Sequence, residues 1–213
     1  MSKQFGASDE RNVSRRTFLS ASLISAVVVP ANLLVVNTAQ AAQRTAVALS
    51  PQQAFREIRD DEDAHVSFLK TALGSAARPM PSFKGLQQQN VDAFINLSQT
   101  FENVGVGAYL MAAPAISSKS TLAAAGSILT VEARHAGYLN GLRGAPLVPT
   151  GAFDKPIPQA QIVKDVMPFI ASLNGGPDPT KPLRNDTDIL NFALLLEYLE
   201  ASFYNANVPK FYG

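Results

Sequence analysis

The sequence predicts an all-α fold, a single bundle of four helices, and three observations predict it. Four stretches carry apolar residues at helical spacing, each bounded by Pro or Gly. No run alternates apolar and polar residues as a strand would. Both histidines of the chain fall on apolar helix stripes, each with a glutamate three residues before it. With 213 residues, 46% hydrophobic and 16% charged, the chain suits one packed domain. The net charge of +1, with no Lys/Arg run interleaved with aromatics, argues against nucleic acid as a partner. Cysteine is absent, which excludes disulfides, iron-sulfur clusters, thiolate zinc sites and cysteine nucleophiles. A metal would have to be held by oxygen and imidazole nitrogen.

Residues 1–41 read as a twin-arginine signal peptide. Arg15-Arg16 precedes a mildly apolar run to Val36, and Ala39-Gln40-Ala41 offers a small-residue cleavage site. An uncleaved anchor is the alternative, since Phe18 to Val36 approaches bilayer-spanning length. Ser20, Ser22, Ser25, Pro30 and Asn32 make it a poor spanning segment, so cleavage before Ala42, periplasmic or other extracytoplasmic residence and no membrane contact afterwards are expected. Residues 42–213 then form the bundle domain.

The first helix starts after Ser50-Pro51, a cap followed by proline at the first helical position, and reaches Gly74. Ala54, Phe55, Ile58, Val66 and Leu69 share its apolar side. The second begins near Asn90 and runs through Phe94, Leu97, Phe101, Val104 and Tyr109 to about Ala113, where Pro114 stops it. Gly105 and Gly107 weaken it in isolation, but inside a bundle they can permit close approach. The third spans about 121–142, with Ala125, Ile128, Leu129, Leu139 and Leu142 inward. The fourth, capped by Asp186 or Asp188, runs from Ile189 to about Asn205. A Pro/Gly-rich connection precedes it, with one amphipathic piece from Gln159 to Leu173 that suggests a small helix.

The chemistry sits on four matched stripes. Glu62-x-x-His65 lies between Ile58 and Leu69, and Glu132-x-x-His135 between Ile128 and Leu139. With seven glutamates in the chain, one at that offset from both histidines arises by chance roughly once in a thousand arrangements. Carboxylates on a core stripe need a charged partner. The other two helices carry Glu102 with Tyr109 and Glu197 with Tyr204, each pair seven residues apart and so on one stripe. Two Glu-x-x-His helices and two Glu helices can together supply the ligands of a dinuclear site, Glu62, His65, Glu102, Glu132, His135 and Glu197. Hard oxygen with imidazole suits two ions of iron or manganese, admits zinc and disfavours copper(I). Glu200 could be a further ligand, a carboxylate beside the ligands or an exposed residue. Tyr109 and Tyr204 could donate hydrogen bonds behind the ligands, serve as radical sites or be ordinary buried tyrosines. Asp60, Asp61 and Asp63 read as a solvated acidic face, with an entry path for cations as the alternative. The competing reading of the pairs is structural salt links on helix surfaces.

These segments, Asp61–Val66, Phe101–Tyr109, Val131–Ala136 and Asn191–Tyr204, resemble the ferritin-like domain family, which includes desiccation-related proteins of plants and bacteria. The resemblance covers about 50–205 and departs in order, because the segment like 188–205 comes first in the family and last here. It therefore implies a circularly permuted ferritin-like bundle with 188–205 beside 51–74, whose long crossover connections travel the bundle length. A 20-residue helix is about 30 Å long, and residues 75–88 can span that at about 3.3 Å each.

As function, the resemblance implies an exported di-metal protein that oxidises iron or reacts with dioxygen or peroxide in stress protection, as a ferroxidase, peroxidase or catalase-like enzyme. The alternative is a non-enzymatic structural or metal-binding envelope protein related to desiccation or stress. A storage cage ranks third, since no fifth helix follows Tyr212 and export suits a cage poorly. Without cysteine, turnover would need an external reductant or a disproportionation cycle.

Overall fold

A computed structural model describes residues 49–213. The signal peptide expected over 1–41, its cleavage before Ala42 and the anchor alternative fall outside the described residues. Among the described residues five α-helices follow in order: α1 (Pro51–Leu73), α2 (Val91–Ala112), α3 (Lys119–Leu142), α4 (Gln159–Val166) and α5 (Asp186–Tyr212). The four long ones are the expected bundle. Their starts are set by side chains that satisfy free backbone donors. Ser50 Oγ accepts from Gln53 N at 3.2 Å while Gln53 Oε1 accepts from Ser50 N at 3.0 Å, a capping box with Pro51 next in line. Asn90 and Ser118 cap α2 and α3 by accepting from Ala93 N and Thr121 N, without the reciprocal bond. Among the described residues no helix is long and apolar enough to cross a membrane.

Three local expectations need correction. The cap of α5 is Asn185, whose Oδ1 accepts from Asp188 N at 2.9 Å. Asp186 instead accepts from Ser117 N and Ser118 N at 2.8 and 2.9 Å, tying the start of α5 to the start of α3. The helix does not end near Asn205 but continues through Pro209 to Tyr212. Proline removes an internal bond, yet partners outside the helix hold this stretch. Gln52 and Arg56 donate to Tyr212 O at 3.1 and 3.0 Å, and Asn207 accepts from Gln88 N at 2.8 Å. The amphipathic piece ends at Val166, where Pro168 turns the chain through a 3₁₀ turn at Met167–Phe169. The next residues form β2 (Ile170–Ser172), antiparallel to β1 (Ser82–Phe83). A ribbon this short leaves no alternation to read, but it clips the two long connections together.

Cross-helix contacts fix the directions. Asp63 bonds Asn205 at 2.9 Å and Arg78 N donates to Asn191 Oδ1 at 2.7 Å, so α1 and α5 lie antiparallel as the principal neighbours expected of 51–74 and 188–205. Helices α2 and α3 are antiparallel too, joined by Arg143–Asp92 and Asn140–Asn103. Tyr109 reaches Glu197 and Tyr204 reaches Glu102, which makes α2 antiparallel to α5. Consecutive helices α1 and α2 are therefore parallel, as are α3 and α5, and both intervening connections travel the length of the bundle.

The apolar core divides around a polar centre. On α1, Phe55 and Ile58 pack with Phe94, Phe101, Phe203 and Leu139 to one side of Glu62 and His65. Leu69 packs with Ile128, Leu190 and Leu194 to the other.

Candidate metal centre

All six residues singled out as ligands meet in that polar centre. Glu62, Glu102 and Glu132 have no exposed surface, and Glu197, His135 and His65 are nearly as deeply buried. Each Glu-x-x-His pair is inward because it continues its helix's apolar stripe, so the packing of Ile58 and Leu69 aims Glu62 and His65, and that of Ile128 and Leu139 aims Glu132 and His135.

Two groups of ligand atoms result. In one, His65 Nδ1 stands 3.2 Å from each of Glu62 Oε2, Glu132 Oε1 and Glu197 Oε2. In the other, His135 Nδ1 stands 3.0 Å from Glu62 Oε1 and 3.2 Å from Glu102 Oε2, with Glu132 in the same group. Within each group the atoms lie within 4.8 Å of one another, and Glu62 and Glu132 belong to both. A single imidazole N–H cannot satisfy three carboxylates. Glu62 Oε1 and both oxygens of Glu132 accordingly have no hydrogen-bond partner: Glu62 Oε1 and Glu132 Oε1 approach the imidazoles at ion-pair distance, but at angles that form no bond. Buried carboxylate oxygens left without donors are costly, and a cation at the centre of each group would satisfy them. The donor set of hard oxygen and imidazole fits such an ion.

The tyrosines and one aspartate stand behind the ligands. Tyr109 Oη donates to Glu197 Oε1 and Tyr204 Oη to Glu102 Oε1, both at 2.5 Å, leaving each Oε2 facing inward. Asp61 Oδ2 lies 3.1 Å from His135 Nε2. Asp61, expected on a solvated face, keeps 40% of its side chain exposed while it makes this contact. Its neighbour Glu62 was the only hint in the sequence, and adjacent helical positions point about 100° apart. Glu200 is 3% exposed, which overturns its reading as a surface residue, and it belongs to neither ligand group. Gly105 makes room for the carboxylates: a Cβ there would sit 2.8 Å from Glu132 Oε2 and 3.5 Å from Glu200 Oε1. Gly107 admits Ile157, whose N–H donates to Gly107 O at 3.1 Å.

Without metal the cluster must hold protons. Burial, then the charge of Glu102, pushes Glu62 up to about 7. Burial and the neighbouring carboxylates carry Glu132 and Glu200 well above the usual carboxylate range. Burial alone would lower the imidazoles, but the carboxylates around them win: His135 is raised to about 12 by Glu102 and Glu62, and His65 is raised by Glu132, Glu197 and Glu62. Burial together with Glu197 and Glu102 likewise holds the Tyr109 and Tyr204 hydroxyls protonated.

A four-helix bundle with a buried cluster of carboxylates and two imidazoles between its helices defines a ferritin-like protein able to hold metal. The chain belongs to the ferritin-like domain family, which matches residues 32–145 and 185–212. The unmatched stretch between them is nearly the whole connection that carries α4 and β2. Neither a search of curated proteins nor one of solved structures finds a match.

Proposed function

We propose that this chain binds two divalent ions, iron or manganese, and acts as an exported ferritin-like protein that oxidises iron or reacts with dioxygen or peroxide in stress protection. The observation that carries the reading is the pair of overlapping ligand groups that share Glu62 and Glu132. His65 and Glu197 would hold one ion and His135 and Glu102 the other. Glu62 suits a bridge, since its Oε2 faces His65 while its Oε1 faces His135. Four carboxylates with neutral imidazoles balance two divalent charges. Asp61 can accept the Nε2 proton of His135, keeping the Nδ1 lone pair inward. Tyr109 and Tyr204 hold the outer oxygens of Glu197 and Glu102 still, and the apolar layers on either side exclude water. Two such ions supply redox electrons and Lewis acidity toward dioxygen or peroxide.

Two further elements belong to the reading. Export rests on Arg15-Arg16 and Ala39-Gln40-Ala41, and mass spectrometry of the exported protein should find it beginning at Ala42. A permuted helix order is supported by α5, last in the chain, lying antiparallel to α1 while the two parallel joins are long. The site does not depend on that order, because each ligand comes from within a helix.

Metal titration of Glu62→Gln/Glu132→Gln against the parent tests the site. The parent should take up two Mn(II) or Fe(II) per chain, and the double variant should lose them while keeping similar side-chain volume. Relief of the carboxylate crowding should leave the metal-free variant at least as stable as the metal-free parent. A variant that still binds two ions as tightly as the parent would remove these glutamates from the ligand set. A parent that binds ions but consumes neither dioxygen nor peroxide is the non-enzymatic metal-binding protein, and a parent that binds none is a structural one.

A further inference from the structure

Arg78 lies in the connection after α1 and is buried, with 3% of its surface exposed. Its partners are weak: Nη1 and Nη2 donate at 3.3 Å to the carbonyls of Asn191 and Pro177, and Nε has no partner. Among the described residues no carboxylate lies within 4.0 Å of it, whereas Arg59 and Arg143 have Asp60 and Asp92. Burial draws its guanidinium down to about 10, which still leaves it charged at neutral pH. A buried cation without a counter-ion is expensive and calls for an anion.

Arg78 lines a pocket of about 350 Å³. Lys181, Arg184, Asp178 and Asp188 are also on its wall, so three cations face two carboxylates. Asp178 Oδ2 lies 3.8 Å from Lys181 Nζ, which leaves Arg78 and Arg184 without a carboxylate within 4.0 Å among the described residues. Asp178 accepts from Thr180 N at 2.9 Å and Thr180 Oγ1 at 2.7 Å, and Asp188 accepts from Arg184 N at 3.0 Å. The pocket also adjoins the first turns of α5, a 27-residue helix whose positive end favours negative charge. Gly176 lies against the guanidinium, where a Cβ would stand 3.0 Å from Nη2 and 3.3 Å from Nε, so a side chain there would crowd its donor edge.

We propose that this pocket binds a small oxyanion, a phosphate or a carboxylate group, on the Arg78 guanidinium, with Lys181 and Arg184 at its mouth. The planar guanidinium fork matches either group. Calorimetric titration of the metal-loaded full chain with inorganic phosphate and with succinate, at ionic strength fixed by sodium chloride, tests it. Saturable one-site binding of either probe is expected. Arg78→Gln should weaken it on the order of tenfold or more, and Lys181→Ala/Arg184→Ala severalfold. Binding of phosphate alone names a phosphate ligand, and binding of succinate alone a carboxylate. No saturable binding of either probe overturns the proposal. So does parent-like binding by Arg78→Gln, which would place the anion on the metal centre or elsewhere. If Arg78→Gln does not fold, the variant of the two exposed cations decides, and parent-like binding by it is the overturning result.

Discussion

Replacing Gly105 by alanine separates the needs of the helix from those of the metal centre. Gly105 lies in the interior of α2, three residues after Glu102, where alanine would favour the helix by about 1 kcal/mol. The added Cβ would lie 2.8 Å from Glu132 Oε2 and 3.4 Å from its Cδ. Ordinary contacts of a Cβ begin at 3.4 Å, so the carboxylate has to retreat by about 0.6 Å. In the metal-free protein it ends a flexible side chain and can do so, and the melting temperature should change little or rise. In the loaded protein the same oxygen is to sit about 2.0–2.2 Å from an ion, and a displacement of that size breaks the ligand geometry. Affinity should fall on the order of 10–100-fold, the range seen when the groups that orient a ligand are lost. Competition against a chromophoric chelator measures it, with thermal melts of the metal-free protein alongside. Gly107→Ala is the control: its Cβ would land on Ile157, which should cost about 1–3 kcal/mol of stability by overpacking without changing metal stoichiometry. A Gly105→Ala protein with parent-like affinity at both ions would refute the reasoning, because Glu132 would then not be held in a ligating position. Equal loss of metal binding in Gly107→Ala would reduce the effect to general loosening of the helix.

Asp61→Asn should weaken one ion on the order of 10–100-fold and spare the other, since Asp61 touches His135 and not His65; a two-step binding isotherm that loses both steps equally would contradict this. The metal-free protein should lose stability as pH rises. Glu62, raised from 4.5 to about 7, keeps its proton in the native state while the unfolded chain gives it up, and His135, raised from 6.5 to about 12, does the same at higher pH. Both contributions are fully present below the unfolded values and fade above them, so melting temperatures of the metal-free protein should fall from about pH 5 to pH 8, while metal affinity climbs over the same window as ions displace those protons. Melting temperatures that rise with pH in the absence of metal would reject this charge state.

The legible parts of the sequence were those in which one local rule sufficed. Glu62-x-x-His65 and Glu132-x-x-His135 share helix faces by spacing alone, and the apolar residues above and below each pair show which face is buried. The Ser50-Pro51 start of α1 is a local signal of the same kind. Other features depend on partners distant in the chain. Asn185 outcompetes Asp186 as a cap because Asp186 is engaged by Ser117 and Ser118. The last turns of α5 persist past Pro209 because Gln52 and Arg56 receive them. Asp61 is one residue from Glu62 and Glu200 three residues from Glu197, positions where the face presented depends on the crossing of neighbouring helices rather than on spacing alone. Arg78 carried no signal, since it lies in a connection and its burial comes from Asn191 and the loop at Gly176 and Pro177.

The two halves of the centre follow one plan, and the places where they differ explain each other. Glu62 and His65 correspond to Glu132 and His135, and Glu102 with Tyr109 corresponds to Glu197 with Tyr204. Each tyrosine donates across the bundle to the other helix's glutamate, so the two Glu-Tyr stripes secure one another reciprocally. Under that correspondence Glu200 on α5 matches Gly105 on α2, three residues beyond the respective ligands. A glutamate at both positions would add another buried carboxylate to a cluster already short of cations, and would fill the space into which Glu132 Oε2 and Glu200 Oε1 project. Asp61 likewise has Val131 as its counterpart, so only His135 has a carboxylate at its outer nitrogen from this position. The ion beside His135 would thus have a better oriented, more basic imidazole, while Glu200, whose carboxyl is pushed up by burial and by Glu132 in the metal-free protein, has no counterpart on α2. Two nearly equivalent candidate ligand sets, made inequivalent by one aspartate and one glycine, would suit ions that bind in sequence rather than together.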